Sequence, residues 1–143
     1  TVEPVEQRAR GKWSVGDIAR VRLDVSTDVD RSWVVVNDPI PAGATVLGGG
    51  LLRDAKLAGS EMSPERASDP ATTDGWAYLS HEERAFDGYR AYYEWVSRGK
   101  FTVEYRVRLN SAGTFQMPTT RVEAMYQPEA FSELPNGSWE IAP

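Results

Sequence analysis

Phe101-Thr102-Val103-Glu104-Tyr105-Arg106-Val107-Arg108-Leu109 alternates apolar and polar residues without a miss. Successive side chains of a strand point to opposite faces, so Phe101, Val103, Tyr105, Val107 and Leu109 are predicted to share a buried face. Thr102, Glu104, Arg106 and Arg108 then line a wet one. A helix would scatter the five apolar residues around its girth, so the stretch commits to β-structure. One dry and one wet face is the mark of an antiparallel sheet packed on a core.

Outward from that strand the chain reads the same way. Ser97-Arg98-Gly99-Lys100 turns before it, and Asp87-Gly88 is a dipeptide suited to a type I′ turn between Ser80–Phe86 and Tyr89–Val96, with Phe86 opposite Tyr89. Asn110-Ser111-Ala112-Gly113 turns after it, and Phe115 and Met117 begin another strand. In Val122-Glu123-Ala124-Met125-Tyr126-Gln127-Pro128-Glu129 the alternation predicts a strand to Tyr126, with Val122, Ala124 and Tyr126 on one face and Arg121, Glu123 and Met125 on the other. Pro128 cannot donate to a ladder and is expected to stop it. Glu129-Ala130-Phe131 reads as a helical turn and Ser138-Trp139-Glu140-Ile141 as a last strand.

Towards the N-terminus, Ala19, Val21, Leu23 and Val25 alternate with Arg20, Arg22 and Asp24, another strand with one wet face. Trp33-Val34-Val35-Val36 is continuously apolar and reads as a strand buried on both faces. Two prolines and a glycine in Asn37-Asp38-Pro39-Ile40-Pro41-Ala42-Gly43 end it. Ala44–Leu47 is a brief strand, which Gly48-Gly49-Gly50 breaks. Residues 51–75 show no steady period and are expected as a long irregular insert with one turn of helix near Pro64-Glu65-Arg66-Ala67; inserts of this length often serve as contact surfaces. Residues 1–12 read as a linker or arm and 13–143 as the folded domain. About eight short strands without helical periodicity predict an all-β, antiparallel two-sheet β-sandwich.

Composition narrows the function. The 143 residues suit one domain, and with no cysteine the chain has no thiol chemistry, no cysteine-held zinc and no disulfide. Sixteen basic and 21 acidic residues, net charge −5 and mixed in order, leave no basic stripe, so nucleic acid is not an expected partner. No apolar run reaches the roughly 20 residues that span a bilayer, so membrane insertion by this stretch is not expected. Thr1-Val2-Glu3-Pro4 reads as the start of an excised or processed piece of something longer.

No catalytic constellation emerges. His81 is the only histidine, and its neighbour Ser80 faces the other side of a strand, so a Ser-His-Asp site needs a distant serine. Asp28-Val29-Asp30 lacks the later glycine and glutamate of a calcium loop and reads as a turn. Gly48-Gly49-Gly50 has no following Lys-Ser or Lys-Thr to hold phosphate. The carboxylates Glu82, Glu83, Glu94 and Glu104 read as a solvated face; no metal or cofactor is expected. The aromatics Tyr89, Tyr92, Tyr93 and Trp95 crowd one strand, with Tyr92 of opposite parity to the others. Core packing is their default use, and a sugar-stacking face that includes Trp76 and Tyr92 is the rival.

Four separated blocks carry a family resemblance: Trp33–Gly43, Phe101–Arg108, Gly113-Thr114-Phe115-Gln116-Met117-Pro118 and Arg121–Glu129. Together, over about Gly16 to Pro135, they resemble the C-terminal domain of bacterial alpha-2-macroglobulins. The resemblance implies a macroglobulin-like β-sandwich at the end of a large periplasmic protease inhibitor, membrane-anchored through the parent's N-terminus in some cases. Its partners would be the parent's other domains and, indirectly, target proteases. In thioester-bearing relatives a Met-Tyr pair matching Met125 and Tyr126 shields the bond from water and stray nucleophiles. A family branch without the thioester is also similar over Asn37–Thr45, and there the pair would be an interdomain contact alone.

Overall fold

A computed structural model describes residues 1–47 and 77–143. Twelve strands follow one another among these residues: β1 (Val2–Glu6), β2 (Trp13–Ser14), β3 (Ile18–Thr27), β4 (Arg31–Pro39), β5 (Thr45–Leu47), β6 (Ala77–Arg84), β7 (Gly88–Val96), β8 (Gly99–Arg108), β9 (Gly113–Gln116), β10 (Thr120–Ala124), β11 (Gln127–Leu134) and β12 (Ser138–Ala142). The expected insert at 51–75, with its helical turn and contact-surface reading, lies outside the described residues, as does Gly48-Gly49-Gly50.

Two sheets form the expected sandwich, one in the order β1-β3-β8-β5 and one in the order β11-β10-β4-β7-β6. The opening stretch behaves as its alternation dictates: Phe101, Val103, Tyr105, Val107 and Leu109 are all buried. From the facing sheet come Val34, Val36, Tyr89, Ala91 and Tyr93. Rings interlock across the gap, with Tyr89 stacked on Tyr105 at 4.4 Å between centroids and Tyr93 edge-on to Phe101 at 4.9 Å. Each fully buried aliphatic side chain contributes roughly 1.5–3 kcal/mol, so this interleaved row is the main source of stability.

A third small sheet, β2-β12-β9, adds to the two that the strand pattern predicts. It stacks Trp13 on Trp139 at 5.4 Å and closes one end of the core with Ile141. Residues 1–12, expected as a linker or arm, supply β1 as an exposed outer strand paired with β3. The buried Asp17 carboxylate fastens their far end, accepting the Arg8 and Ser14 amides at 2.9 and 2.8 Å.

Several local expectations change. Trp33–Val36 is not buried on both faces: Val34 and Val36 are buried while Trp33 and Val35 are half-buried. The β6–β7 hairpin forms, but Gly88 is absent from the positive-φ residues, and Arg84, not Phe86, pairs with Tyr89. Phe86 stands 85% exposed at the tip. The glycine serves a different need: a Cβ there would lie 2.9 Å from the Asp38 carbonyl oxygen, so only glycine lets β7 run this close to β4. On β7 the parity of Tyr89, Tyr93 and Trp95 breaks, because the register with β6 shifts between Tyr93 and Trp95, leaving Tyr89 and Tyr93 buried and Trp95 exposed. The Glu129-Ala130-Phe131 helical turn does not form; those residues belong to β11.

Candidate functional site

The expected strand Val122–Tyr126 stops two residues early. β10 ends at Ala124, Met125 and Tyr126 make a tight turn, and Gln127 opens β11 with Ala124 as its partner. Pro128 does not stop the chain from pairing, because β11 is the edge of its sheet and a missing N–H there costs no ladder bond. The register jumps from Ala124↔Gln127 to Glu123↔Phe131, so Pro128, Glu129 and Ala130 form a bulge behind the turn. The predicted separation of Met125 and Tyr126 onto opposite strand faces gives way to one projecting pair. Tyr126 is 76% exposed and Met125 42%.

The turn is held from inside. β10 runs antiparallel to β4 with Arg121 opposite Asn37 and Ala124 opposite Val34, and the Met125 amide donates to the Trp33 carbonyl at 2.8 Å. At the other end of β10 the Thr120 hydroxyl donates to the buried Asp38 carboxylate, and the Tyr105 hydroxyl donates to the same group from the facing sheet. Burial pushes Asp38 above the ordinary carboxylate range, against the lowering effect of these two donors. Burial and the neighbouring Asp38 together push the Tyr105 phenol up. Asn136 adds a brace, donating to the Pro118 carbonyl at 2.8 Å and the Thr120 hydroxyl at 2.9 Å.

On the outer face Arg121 bonds Glu123 at 2.9 Å and Glu133 at 2.6 Å, and lies 4.3 Å from the centroid of the Phe131 ring. The two carboxylates raise its pKa. These groups are all partly in water, so the cluster fixes the shape of the hairpin more than it stabilises the fold. The outcome is a cross-braced β10–β11 hairpin that presents a thioether and a phenol ring at its tip. Such a pair excludes water from whatever it covers and makes no covalent or charged attachment.

The other singled-out residues fall elsewhere. Tyr92 is half-buried on the outer face of the five-stranded sheet, its hydroxyl donating to Glu83 at 3.3 Å and its ring 5.8 Å from that of His81. Trp76 lies outside the described residues. His81 is exposed and pairs with Tyr92 across the β6–β7 ladder. Among the described residues no group of three or more His, Asp or Glu side chains is placed to hold a metal ion. Asp28 and Asp30 sit in the β3–β4 turn, where Asp30 accepts the Arg98 amide at 2.7 Å.

Sequence reasoning passed over Asp38 and the backbone of Trp33. Asp38 follows Val34 and Val36 at period two, which by itself places it on the core face, level with Tyr89 across the ladder. Trp33 is the one non-glycine among the described residues with positive φ, at 53°, and no residue type signals that at a tryptophan.

Residues 1–129 match the family model described as the bacterial alpha-2-macroglobulin MG10 domain. The chain belongs to that family. This MG10 domain is 25% identical over 118 residues to an alpha-2-macroglobulin homolog of Nostoc sp., a match covering 82% of the chain and 6% of the relative. Among solved structures it superposes on Salmonella alpha-2-macroglobulin reacted with methylamine, with TM-score 0.72 at 20% identity, covering 100% of this chain and 9% of that one. Trypsin-activated alpha-2-macroglobulin from Escherichia coli gives TM-score 0.73 at 20% identity, covering 99% of this chain and 10% of that one. At these identities the structural likeness speaks for the macroglobulin fold alone. The domain spans a tenth or less of each of these three relatives.

Proposed function

We propose that this MG10 domain is a non-catalytic C-terminal module of a bacterial alpha-2-macroglobulin-type protease inhibitor, acting by packing on and locking its neighbouring domains. Met125 and Tyr126 are the contact pair, shielding the thioester where the parent carries one. The single observation behind this reading is the contrast at the β10–β11 turn: its backbone is braced on β4 through Trp33, yet the two side chains project into solvent. A ring that is 76% exposed on so fixed a support is suited to a partner surface. The partners are the parent's other domains, with target proteases engaged indirectly through the whole molecule. The place of action is the periplasm, with any membrane anchor supplied by the parent's N-terminus; among the described residues no helix is long and apolar enough to cross a membrane.

The test is Met125→Ala combined with Tyr126→Ala in a thioester-bearing full-length parent. The expected result is a folded domain and faster reaction of the parent with methylamine, read as loss of titratable bond and as a mobility shift on native gels. Unchanged amine sensitivity removes the shielding role.

A further inference from the structure

Trp33 occupies an improbable backbone conformation at a telling place. Left-handed φ crowds a side chain against its own carbonyl, and glycine, asparagine or aspartate normally takes such positions. Here a tryptophan does, inside β4 and one residue before the ladder that carries β10. Burial along β4 alternates cleanly from Val34 to Asp38 and fails to continue back through Ser32, which is exposed, so the strand turns its faces at this residue. The partner strand β7 does the same opposite it, where Tyr93 is buried and Glu94 and Trp95 are both exposed. The carbonyl of Trp33 is also the acceptor for the amide of Met125.

From these facts we infer that Trp33 is the positioning residue of the Met125–Tyr126 turn: its left-handed backbone swings β4 so that the Trp33 carbonyl holds the Met125 amide. The inference rests on the reading of that turn as the contact pair, but it concerns a backbone bond that is measured separately. A regular strand conformation at residue 33 would carry the carbonyl away from Met125 and let the turn lean over the sheet. Retaining a strained conformation at a bulky residue is characteristic of places where geometry matters to function.

The experiment is amide hydrogen exchange by NMR on the 143-residue chain, comparing Trp33→Gly with Trp33→Val. Glycine adopts left-handed φ freely, whereas valine resists it and favours a regular strand. The Met125 amide is expected to stay protected in Trp33→Gly and to exchange about tenfold faster in Trp33→Val, as loss of one hydrogen bond implies. The Val34 and Val36 amides serve as controls for the strand itself. Equal loss in both variants would assign the effect to the indole ring, and unchanged protection in both would leave Trp33 without a role; either result overturns the inference. A Met125 response as stated, with no change in amine reactivity of the full-length parent carrying Trp33→Val, would spare this inference and count against the proposed contact.

Discussion

Removing one hydroxyl from the centre of the domain tests how the hairpin is anchored. In Tyr105→Phe the ring keeps its volume and its 4.4 Å stack on Tyr89, so packing is preserved. What disappears is one of two donors to the Asp38 carboxylate, itself only 5% exposed. A hydrogen bond to a buried charged group contributes about 1.5–3 kcal/mol, against about 0.5–1.5 kcal/mol when the acceptor is neutral. The loss therefore depends on whether Asp38 is ionised. Its folded pKa lies above the ordinary 3.8, so between that value and the folded pKa the native state binds the extra proton. Stability contributed by this group thus falls as pH rises through the window and levels off above it. Without the Tyr105 donor the folded pKa climbs further, so the variant loses more at pH 7 than at pH 4. Urea denaturation at both values should show a loss of about 2 kcal/mol at pH 7 and about 1 kcal/mol or less at pH 4. Equal losses at the two pH values, or a loss below about 0.5 kcal/mol at pH 7, would refute Asp38 as the charged hub joining Thr120, β4 and β8.

The remaining predictions use the same chain. Gly88→Ala should destabilise by about 1–3 kcal/mol in urea melts, because the new methyl meets backbone rather than a movable side chain. Leu109→Ala, at a fully buried site, should cost about 2–5 kcal/mol, seen as a fall in the thermal midpoint of several degrees. Arg121→Ala should leave the urea midpoint nearly unchanged, and any difference from the parent chain should shrink in high salt, since its partners stand in water. Met125→Ala with Tyr126→Ala should change domain stability by less than about 1 kcal/mol, as expected of side chains that project from the core.

Period-two alternation carried most of the architecture. Phe101 to Leu109 and Ala19 to Val25 are long enough for the pattern to outvote chance, and the structure pairs them as β8 and β3, neighbours in one sheet. Where alternation failed, the cause is local backbone geometry that residue type does not encode. The bulge on β7 and the left-handed Trp33 each flip the parity that sequence counting assumes. Asp87-Gly88 gave the right hairpin for the wrong reason, since Gly88 answers to the closeness of β4 and not to turn chirality. Pro128 misled because its meaning depends on whether a strand is central or at an edge, a property of the whole sheet. At the candidate site only a family resemblance singles out Met125 and Tyr126 in the sequence, while the tight turn that leaves both exposed needed the β10–β11 register. The parallel pairing of β2 with β12 joins residues far apart in the chain, and such long-range pairing leaves no local trace.

Hydroxyl-radical footprinting of Met125 and Tyr126, in the 143-residue chain and in the intact parent, measures most directly whether this turn is a contact. Both side chains should label readily in the isolated domain, as their 42% and 76% exposures require. In the intact native parent their labelling should fall about tenfold, as side chains enclosed by a partner surface are withdrawn from water. Equal labelling of the pair in both forms would contradict the account.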